Sequence, residues 1–187
     1  TVGKGLITGV EFCADWLTPH LHFADGTVGA QAWDLTLPHE NILPAPLWDL
    51  VYHDSLINYW WHWNTYNFHT FYVMTKPYTW VEQALQDILC ANPSTWFLQL
   101  ENTEYWARIM GQLYPIQAKL NEALIHEQMV GHEYLNRSGF AQRSDWSDGT
   151  RIYVNFLDEP FEMSFEYKDN VPPEIDYVEY SRTTTLK

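Results

Sequence analysis

The stretch 5–12, Gly-Leu-Ile-Thr-Gly-Val-Glu-Phe, decides how the first half of the chain is interpreted. It is a short apolar run with a carboxylate near its end, which is typical of a buried β-strand. A second run, 47–53 (LWDLVYH), is predicted to be another buried strand that ends in the polar pair His53-Asp54.

Two helices are predicted further along the chain. Thr79-Trp80-Val81-Glu82 has the spacing of a capping box, and the helix that it opens is expected to reach about Ala91. Another helix is expected from 103 to about 128, and Pro115 is expected to kink it or divide it in two.

The pattern changes to antiparallel β after residue 128. Asp148-Gly149 separates the segments 143–146 and 151–156, and this dipeptide favours a tight hairpin. Two more alternating segments, 161–167 and 174–180, follow.

The order of these elements predicts an α/β region followed by an all-β region. It is typical of the C-terminal end of a (β/α)8 barrel that carries a small antiparallel β-sandwich. We therefore predict a partial barrel region over 1–128 and a β-sandwich domain over 129–187. Because the chain begins inside an apparently structured region, we expect it to be a processed or partial chain.

Composition excludes several classes of partner. The formal net charge is −14 with only ten lysines and arginines, so neither nucleic acid nor an anionic membrane surface is an expected partner. No apolar run approaches the roughly 20 residues that a membrane span requires. Aromatic residues make up 17% of the chain, with ten tryptophans. They either fill a core or stack on the apolar faces of sugars, and an acidic, aromatic-rich surface suits a glycan.

Cysteine usage leaves the compartment open. Cys13 and Cys90 could pair, but two residues so far apart in sequence establish neither a disulfide nor an oxidising environment. One glycosylation tripeptide, Asn136-Arg137-Ser138, is present.

Several motifs resemble a known family. The run 46–54 (PLWDLVYHD) is similar to a "P-L-x-x-L-V-[YF]-H-D" segment of bacterial glycoside hydrolases of family 101, the endo-α-N-acetylgalactosaminidases, and their less characterised relatives. The segments 132–135 (HEYL), 147–150 (SDGT) and 154–156 (VNF) resemble the C-terminal ending of these enzymes. The resemblance covers roughly residues 40 to 160. It implies a barrel end joined to a β-sandwich, although the aromatic block 59–63 is denser than the family pattern.

Glu11 is the predicted catalytic residue. Glycoside hydrolysis ordinarily needs two carboxyl groups, and an apolar setting near Phe12 and Trp16 would favour the acid's role for Glu11. The resemblance also implies an acid/base near such a strand end, whereas the alternative is a surface glutamate after a strand. The second carboxylate is expected upstream of this chain, so we expect the chain alone to be catalytically silent.

Sugar contacts are predicted from two groups of residues. Asp15 and Trp16 follow Glu11 closely, while His53 and Asp54 either bind sugar hydroxyls or hold the barrel rim. At least one tryptophan of the block 59–63 is expected in a cleft or interface, because three in four positions cannot all face one core. Trp61 and Trp63 are the candidates from this block.

No metal and no cofactor are predicted. His20 and His22 flank Leu21 near Asp25, which would suit two zinc ligands, but a third ligand is unspecified. The acidic loop 145–148 lacks the regular oxygen spacing of a calcium loop.

The leading hypothesis is therefore a fragment or subunit of a secreted glycoside hydrolase that acts on extracellular glycans. It would need the upstream part of the same protein or a companion chain. The alternative is a catalytically inactive, glycosidase-like module that binds carbohydrate or serves as a part of a larger assembly. An independent small lectin fits less well, because isolated barrel strands leave open sheet edges.

Overall fold

The computed structural model describes residues 5–11, 13–25, 45–62, 79–96, 103–157 and 160–162. Within these ranges the chain forms a parallel sheet accompanied by helices and then an antiparallel sheet. The change from α/β to antiparallel β therefore occurs in the order that the sequence predicts.

Four short parallel strands form the first sheet, in the order in which they occur along the chain. They are β1 (Gly9–Glu11), β2 (Phe23–Asp25), β3 (Ile57–His62) and β4 (Ser94–Trp96). Because all four run in the same direction, their carboxyl ends lie at one edge, named here the carboxyl edge. Their amino ends lie at the opposite amino edge.

Helices connect these strands. A 3-10 helix (Asp15–His20) lies between β1 and β2, α1 (Leu47–Tyr52) precedes β3, α2 (Thr79–Leu89) precedes β4, and α3 (Thr103–Leu124) follows β4. A closed (β/α)8 barrel needs eight strands. The described residues supply four parallel ones, so the barrel remains a prediction.

The run 5–12 is not the buried strand that its composition predicts. Of its described residues, 5–11, only Gly9–Glu11 form a strand, and Leu6 and Ile7 are 56% and 78% exposed. A Cβ atom at Gly9 would overlap the ring of Phe23 on the neighbouring strand. Glycine at this position therefore allows β1 and β2 to pack closely.

The run 47–53 is a helix and not the predicted strand. Residues four apart share a face: the rings of Trp48 and Tyr52 are tilted against each other with centroids 4.6 Å apart. Both residues pack against the buried cluster that contains Leu56. Leu47 and Val51 face outward, with exposures of 70% and 58%. An apolar run this short fits a strand or a buried helix equally well, so the strand prediction was wrong.

Helix α2 begins at Thr79, as predicted, and ends two residues earlier than expected. Its end has the hydrogen bonds of a Schellman motif: Ala91 N–H donates to the Ile88 carbonyl at 3.2 Å, and Asn92 N–H to the Asp87 carbonyl at 2.9 Å. Ala91 has a φ of +50°, in the left-handed region. The motif ends the helix and leaves Asn92 only 1% exposed.

Helix α3 continues through Pro115 without being divided. Leu113 and Leu124 are buried, whereas Tyr114 is exposed. The helix ends at Leu124, short of the predicted boundary near 128.

The second sheet contains three antiparallel strands. They are β5 (Met129–Tyr134), β6 (Ala141–Trp146) and β7 (Arg151–Asn155), in that order. The predicted Asp148-Gly149 hairpin is confirmed: Trp146 N–H donates to the Thr150 carbonyl at 3.0 Å, and Gly149 has a φ of +93°.

Helices α2 and α3 share one apolar core with the antiparallel sheet. Buried residues from the end of α2 and the end of α3 pack against buried residues of the antiparallel sheet and of the segment that follows it. These residues are Leu89, Cys90, Ala91, Leu124, Met129, Trp146, Ile152, Val154 and Phe156. The alternation of buried residues at 152, 154 and 156 agrees with the predicted strand pattern.

Several predictions fall on residues outside the described ranges. The segment 174–180 and most of 161–167 lie there, and Phe161 and Glu162 are not in a strand. A second layer of a β-sandwich is therefore not part of the described structure, and the boundary near 128 remains a prediction. Cys13 and Cys90 are both buried and free. Among the described residues, no helix is long and apolar enough to span a bilayer.

Candidate functional site

Glu11 is the last residue of β1 and lies at the carboxyl edge, with its side chain exposed. Its Cα is in register with that of Asp25, the last residue of β2. Two acidic residues therefore end neighbouring parallel strands. Sequence reasoning considered Asp25 only as a metal ligand, because its strand is too short to be recognised from an apolar pattern.

Asp15 and Trp16 open the 3-10 helix that follows β1. The Asp15 carboxylate accepts the main-chain N–H of Trp16 at 2.8 Å, and the Trp16 side chain is 71% exposed. A large aromatic face is thus held in solvent five residues after Glu11 in sequence. Exposed indole rings of this kind provide amphipathic contact surfaces.

His53 and Asp54 lie elsewhere. Helix α1 leads into the amino end of β3, so both residues lie toward the amino edge and the structure does not bring them to Glu11. His53 is only 5% exposed, and its Nδ1 contacts the carbonyl of Glu127 at 2.9 Å. Asp54 is exposed and accepts the Ser55 hydroxyl at 3.0 Å. Their placement follows from the helix that the sequence interpretation took for a strand.

The predicted aromatic platform is only partly within the described structure. Trp61 lies in β3, where its Cα is in register with that of Thr95. Trp63 and the rest of the block beyond His62 lie outside the described residues.

His20 and His22, which would suit two zinc ligands, both make hydrogen bonds with Thr8. Nδ1 of His22 accepts the main-chain N–H of Thr8 at 3.1 Å, and the Thr8 hydroxyl donates to the His20 carbonyl at 2.9 Å. Across the part of the chain that the structure describes, no group of three or more His, Cys, Asp or Glu side chains is arranged to hold a metal ion.

A buried polar cluster at the amino edge was not predicted. The Asp49 carboxylate is fully buried and accepts amide groups from Asn58 at 3.4 Å and Asn92 at 2.8 Å. Burial raises the pKa of this carboxyl. Of the several interactions that lower the pKa, the hydrogen bond from Asn92 is the largest. The three residues come from three separate segments, so no local sequence pattern could have grouped them.

Beside it, Asp87, Ser94 and Gln117 form a hydrogen-bonded chain. The Ser94 hydroxyl donates to the Asp87 carboxylate, and the Gln117 amide donates to the Ser94 oxygen. This chain connects α2, β4 and α3. Asp87 and the Asp49 cluster are interior side chains, whereas Ser94 and Gln117 also line a cavity between the start of β4 and α3.

Several solved structures of one enzyme have a similar fold. The ligand-free α-N-acetylgalactosaminidase NagBb from Bifidobacterium bifidum superimposes with a TM-score of 0.59 and 21% sequence identity, over 83% of this chain and 23% of that chain. Its quadruple mutant gives a TM-score of 0.62 at 22% identity, and its GalNAc complex gives 0.58 at 20% identity, with the same coverage.

The likeness is one of fold. This chain spans less than a quarter of the length of the structures that it matches. No family model matches the sequence, and no curated protein matches it.

Proposed function

We propose that this chain is the C-terminal part of a secreted glycoside hydrolase that acts on extracellular glycans, with Glu11 as its general acid/base. The observation that carries the proposal is the position of Glu11: an exposed glutamate that ends a parallel strand. In (β/α)8 enzymes, catalytic side chains lie where barrel strands end. The fold likeness to an α-N-acetylgalactosaminidase supports the same conclusion.

The chemistry requires a second carboxylate. In a retaining reaction, the glutamic acid protonates the leaving glycosidic oxygen while a carboxylate about 5 Å away attacks the anomeric carbon. The resulting glutamate then removes a proton from the attacking water. We propose that the upstream part of the same protein, or a companion chain, supplies the nucleophile and completes the barrel.

Substrate contacts are proposed for the residues close to Glu11. The exposed indole of Trp16 offers a stacking face, and the Asp15 carboxylate offers an acceptor for sugar hydroxyls. Trp61 and Trp63 remain candidates for further stacking. We leave His53 and Asp54 out of the site, because they lie toward the amino edge.

The proposed substrate is a glycan with an α-linked N-acetylgalactosamine. Its support is the name of the structural neighbour, together with the sequence resemblance to family 101. We also propose that the chain ends in a β-sandwich, and the three-stranded antiparallel sheet that follows α3 supports this.

The test uses the complete polypeptide that contains this chain. Glu11→Gln should retain the fold and glycan binding and lower kcat/KM on a natural O-glycan by about 100-fold or more. Aryl glycosides with good leaving groups should be affected less, because they need little protonation. Glu122→Gln, an exposed glutamate on α3, is the matched control and should retain full activity. Unchanged turnover in Glu11→Gln would remove Glu11 from the mechanism.

The second candidate is an inactive glycan-binding or structural module. It is favoured by the exposed Trp16 side chain, which can stack on a sugar whether or not a nucleophile is present. Glycan binding that is lost in Trp16→Ala, together with no hydrolysis by the unmutated complete polypeptide, would establish this alternative.

A further inference from the structure

The two faces of the parallel sheet carry different side chains. On one face, Val10 and Ala24 pack in the apolar cluster beside α1, and the amide of Asn58 donates to Asp49 of that helix. Successive residues of a strand point to opposite faces. Glu11 therefore points to the face that is turned away from α1, named here the Glu11 face.

The ring of Phe23 lies on the Glu11 face. A Cβ atom at Gly9 would overlap three atoms at the far end of this ring, so the ring extends from β2 across the notch that Gly9 leaves in β1. Gly9 and Glu11 are two residues apart on one strand, so they share a face and lie about 7 Å apart along the strand. The Phe23 ring is therefore the neighbour of Glu11 on this face.

Tyr59 holds the Phe23 ring from the other side. The two rings are stacked, with centroids 5.9 Å apart and planes 27° apart. The Cα of Tyr59 is in register with that of Asp25, which is in register with that of Glu11. Both rings are only partly buried. A glycine notch and a second ring thus fix an aromatic surface beside the proposed acid.

We propose that the Phe23 ring is the stacking surface for the sugar whose bond Glu11 cleaves, and that Gly9 and Tyr59 position this ring. The inference rests on the proposed function and extends it to the sugar subsite. An aromatic ring binds the C–H face of a sugar and leaves the hydroxyl groups for polar side chains. In a galacto-configured sugar, the axial hydroxyl leaves the opposite ring face rich in C–H groups, which suits such a partner.

The fixed position of Phe23 distinguishes it from Trp16. The Trp16 side chain is 71% exposed, whereas Phe23 is enclosed between Gly9 and Tyr59. A surface that is ordered before the sugar arrives loses less conformational freedom on binding. Phe23 therefore sets where the sugar lies relative to Glu11, and Trp16 contacts a more distant part of the glycan.

The test measures kcat and KM of the complete polypeptide on a natural O-glycan. Phe23→Leu should raise KM by about 10-fold and change kcat by less than about 3-fold, because stacking acts equally on the ground state and the transition state. Gly9→Ala should have the same effect, because its methyl group displaces the ring. Gly111→Ala is the matched control: no atom lies within 4 Å of a Cβ there, and KM should not change.

The double variant Gly9→Ala/Phe23→Leu shows whether the glycine acts through the ring. Its KM should lie within about 2-fold of that of Phe23→Leu, since the displaced ring is already absent. An equal further increase would overturn the proposal. So would an unchanged KM in Phe23→Leu with a lowered Tm, which would make the ring a packing residue only. If Gly9→Ala does not fold, Phe23→Leu decides alone.

A binding measurement separates this inference from the proposed hydrolysis. If the complete polypeptide does not hydrolyse the glycan, the Kd of methyl α-N-acetylgalactosaminide replaces KM, and Phe23→Leu should raise it by about 10-fold. An unchanged Kd or KM in this variant, together with lost turnover in Glu11→Gln, would overturn the stacking role and leave the proposed function intact. No binding of the sugar by the unmutated polypeptide would overturn both.

Discussion

The imidazole of His53 donates a hydrogen bond from Nδ1 to the main-chain carbonyl of Glu127 at 2.9 Å. Because the partner is a carbonyl, this ring nitrogen must carry the proton. The same ring packs edge-on against Trp146, with centroids 4.6 Å apart. One side chain at the end of α1 therefore contacts both the segment that enters the antiparallel sheet and the core of that sheet.

His53→Ala should destabilise the chain by about 2 kcal/mol. The change removes a buried hydrogen bond, leaves the Glu127 carbonyl without its partner, and removes the aromatic contact. Urea unfolding followed by tryptophan fluorescence measures the loss. Asp54→Ala is the control and should change the free energy of unfolding by less than about 0.5 kcal/mol. Equal effects of the two changes would contradict the structural role of His53.

A chain ending at residue 128 should lack a cooperative unfolding transition. Leu89 and Leu124 are completely buried in a cluster with Met129, Trp146 and Phe156. A chain that ends at residue 128 lacks the last three of these residues. Exposing that apolar surface removes the main stabilising contribution. Differential scanning calorimetry of the truncated and full chains compares the cooperativity of their thermal unfolding. A sharp two-state transition from a truncated monomer would show that the first region has a sufficient core of its own.

Gly149→Val should destabilise the hairpin by about 1 kcal/mol or more. The residue has a φ of +93°, and a β-branched side chain resists that conformation. No atom lies within 4 Å of a Cβ built at this position, so the effect comes from the backbone and not from a clash. Gly149→Asn is the control: asparagine tolerates positive φ and should lose less stability. Thermal unfolding of both variants makes the comparison.

His132 should make stability depend on pH. Burial lowers its pKa below the ordinary 6.5, although its hydrogen bond to Gln142 opposes the shift. The Gln142 amide nitrogen donates to the Gly139 carbonyl, so the Gln142 oxygen accepts from Nε2 of His132 at 2.8 Å. As pH falls below about 6.5, the unfolded chain takes up a proton at this histidine before the folded chain does, so stability falls.

Urea unfolding of the wild-type chain and of His132→Asn between pH 7.5 and 5 isolates this effect. The difference in free energy of unfolding between the wild-type chain and the variant should be largest above the pKa of His132 in the unfolded chain. It should shrink as the pH is lowered toward the pKa of His132 in the folded chain. A difference in free energy that stays constant over this range would mean that His132 is not the titrating group.

Local signals in the sequence predicted the elements that they control. The start of α2 at Thr79 and the turn at Gly149 each depend on a few neighbouring residues, and both were predicted. The position of Glu11 at a strand end was also predicted. Strand β2 was missed because three residues carry too little pattern to be recognised.

The remaining differences come from contacts between distant segments. The segment Leu47–Tyr52 forms a helix because helical spacing directs its buried side chains toward two apolar clusters. One cluster contains Leu56 and the other includes the antiparallel sheet, so both come from distant parts of the chain. The cluster of Asp49, Asn58 and Asn92 forms only when three segments meet. The placement of His53 away from Glu11 follows from the same helix.

The separation of Glu11 from Asp49 by the length of the parallel strands has a genetic consequence. Substitutions near Asp49 act on folding, so they should yield temperature-sensitive alleles with normal specific activity in the protein that survives. If Glu11 is the general acid/base that we propose, substitutions there should yield alleles that are defective at every temperature while the protein accumulates normally. Stabilising mutations elsewhere should suppress alleles of the first class and leave those of the second unchanged, because a gain in folding free energy cannot replace a missing acid.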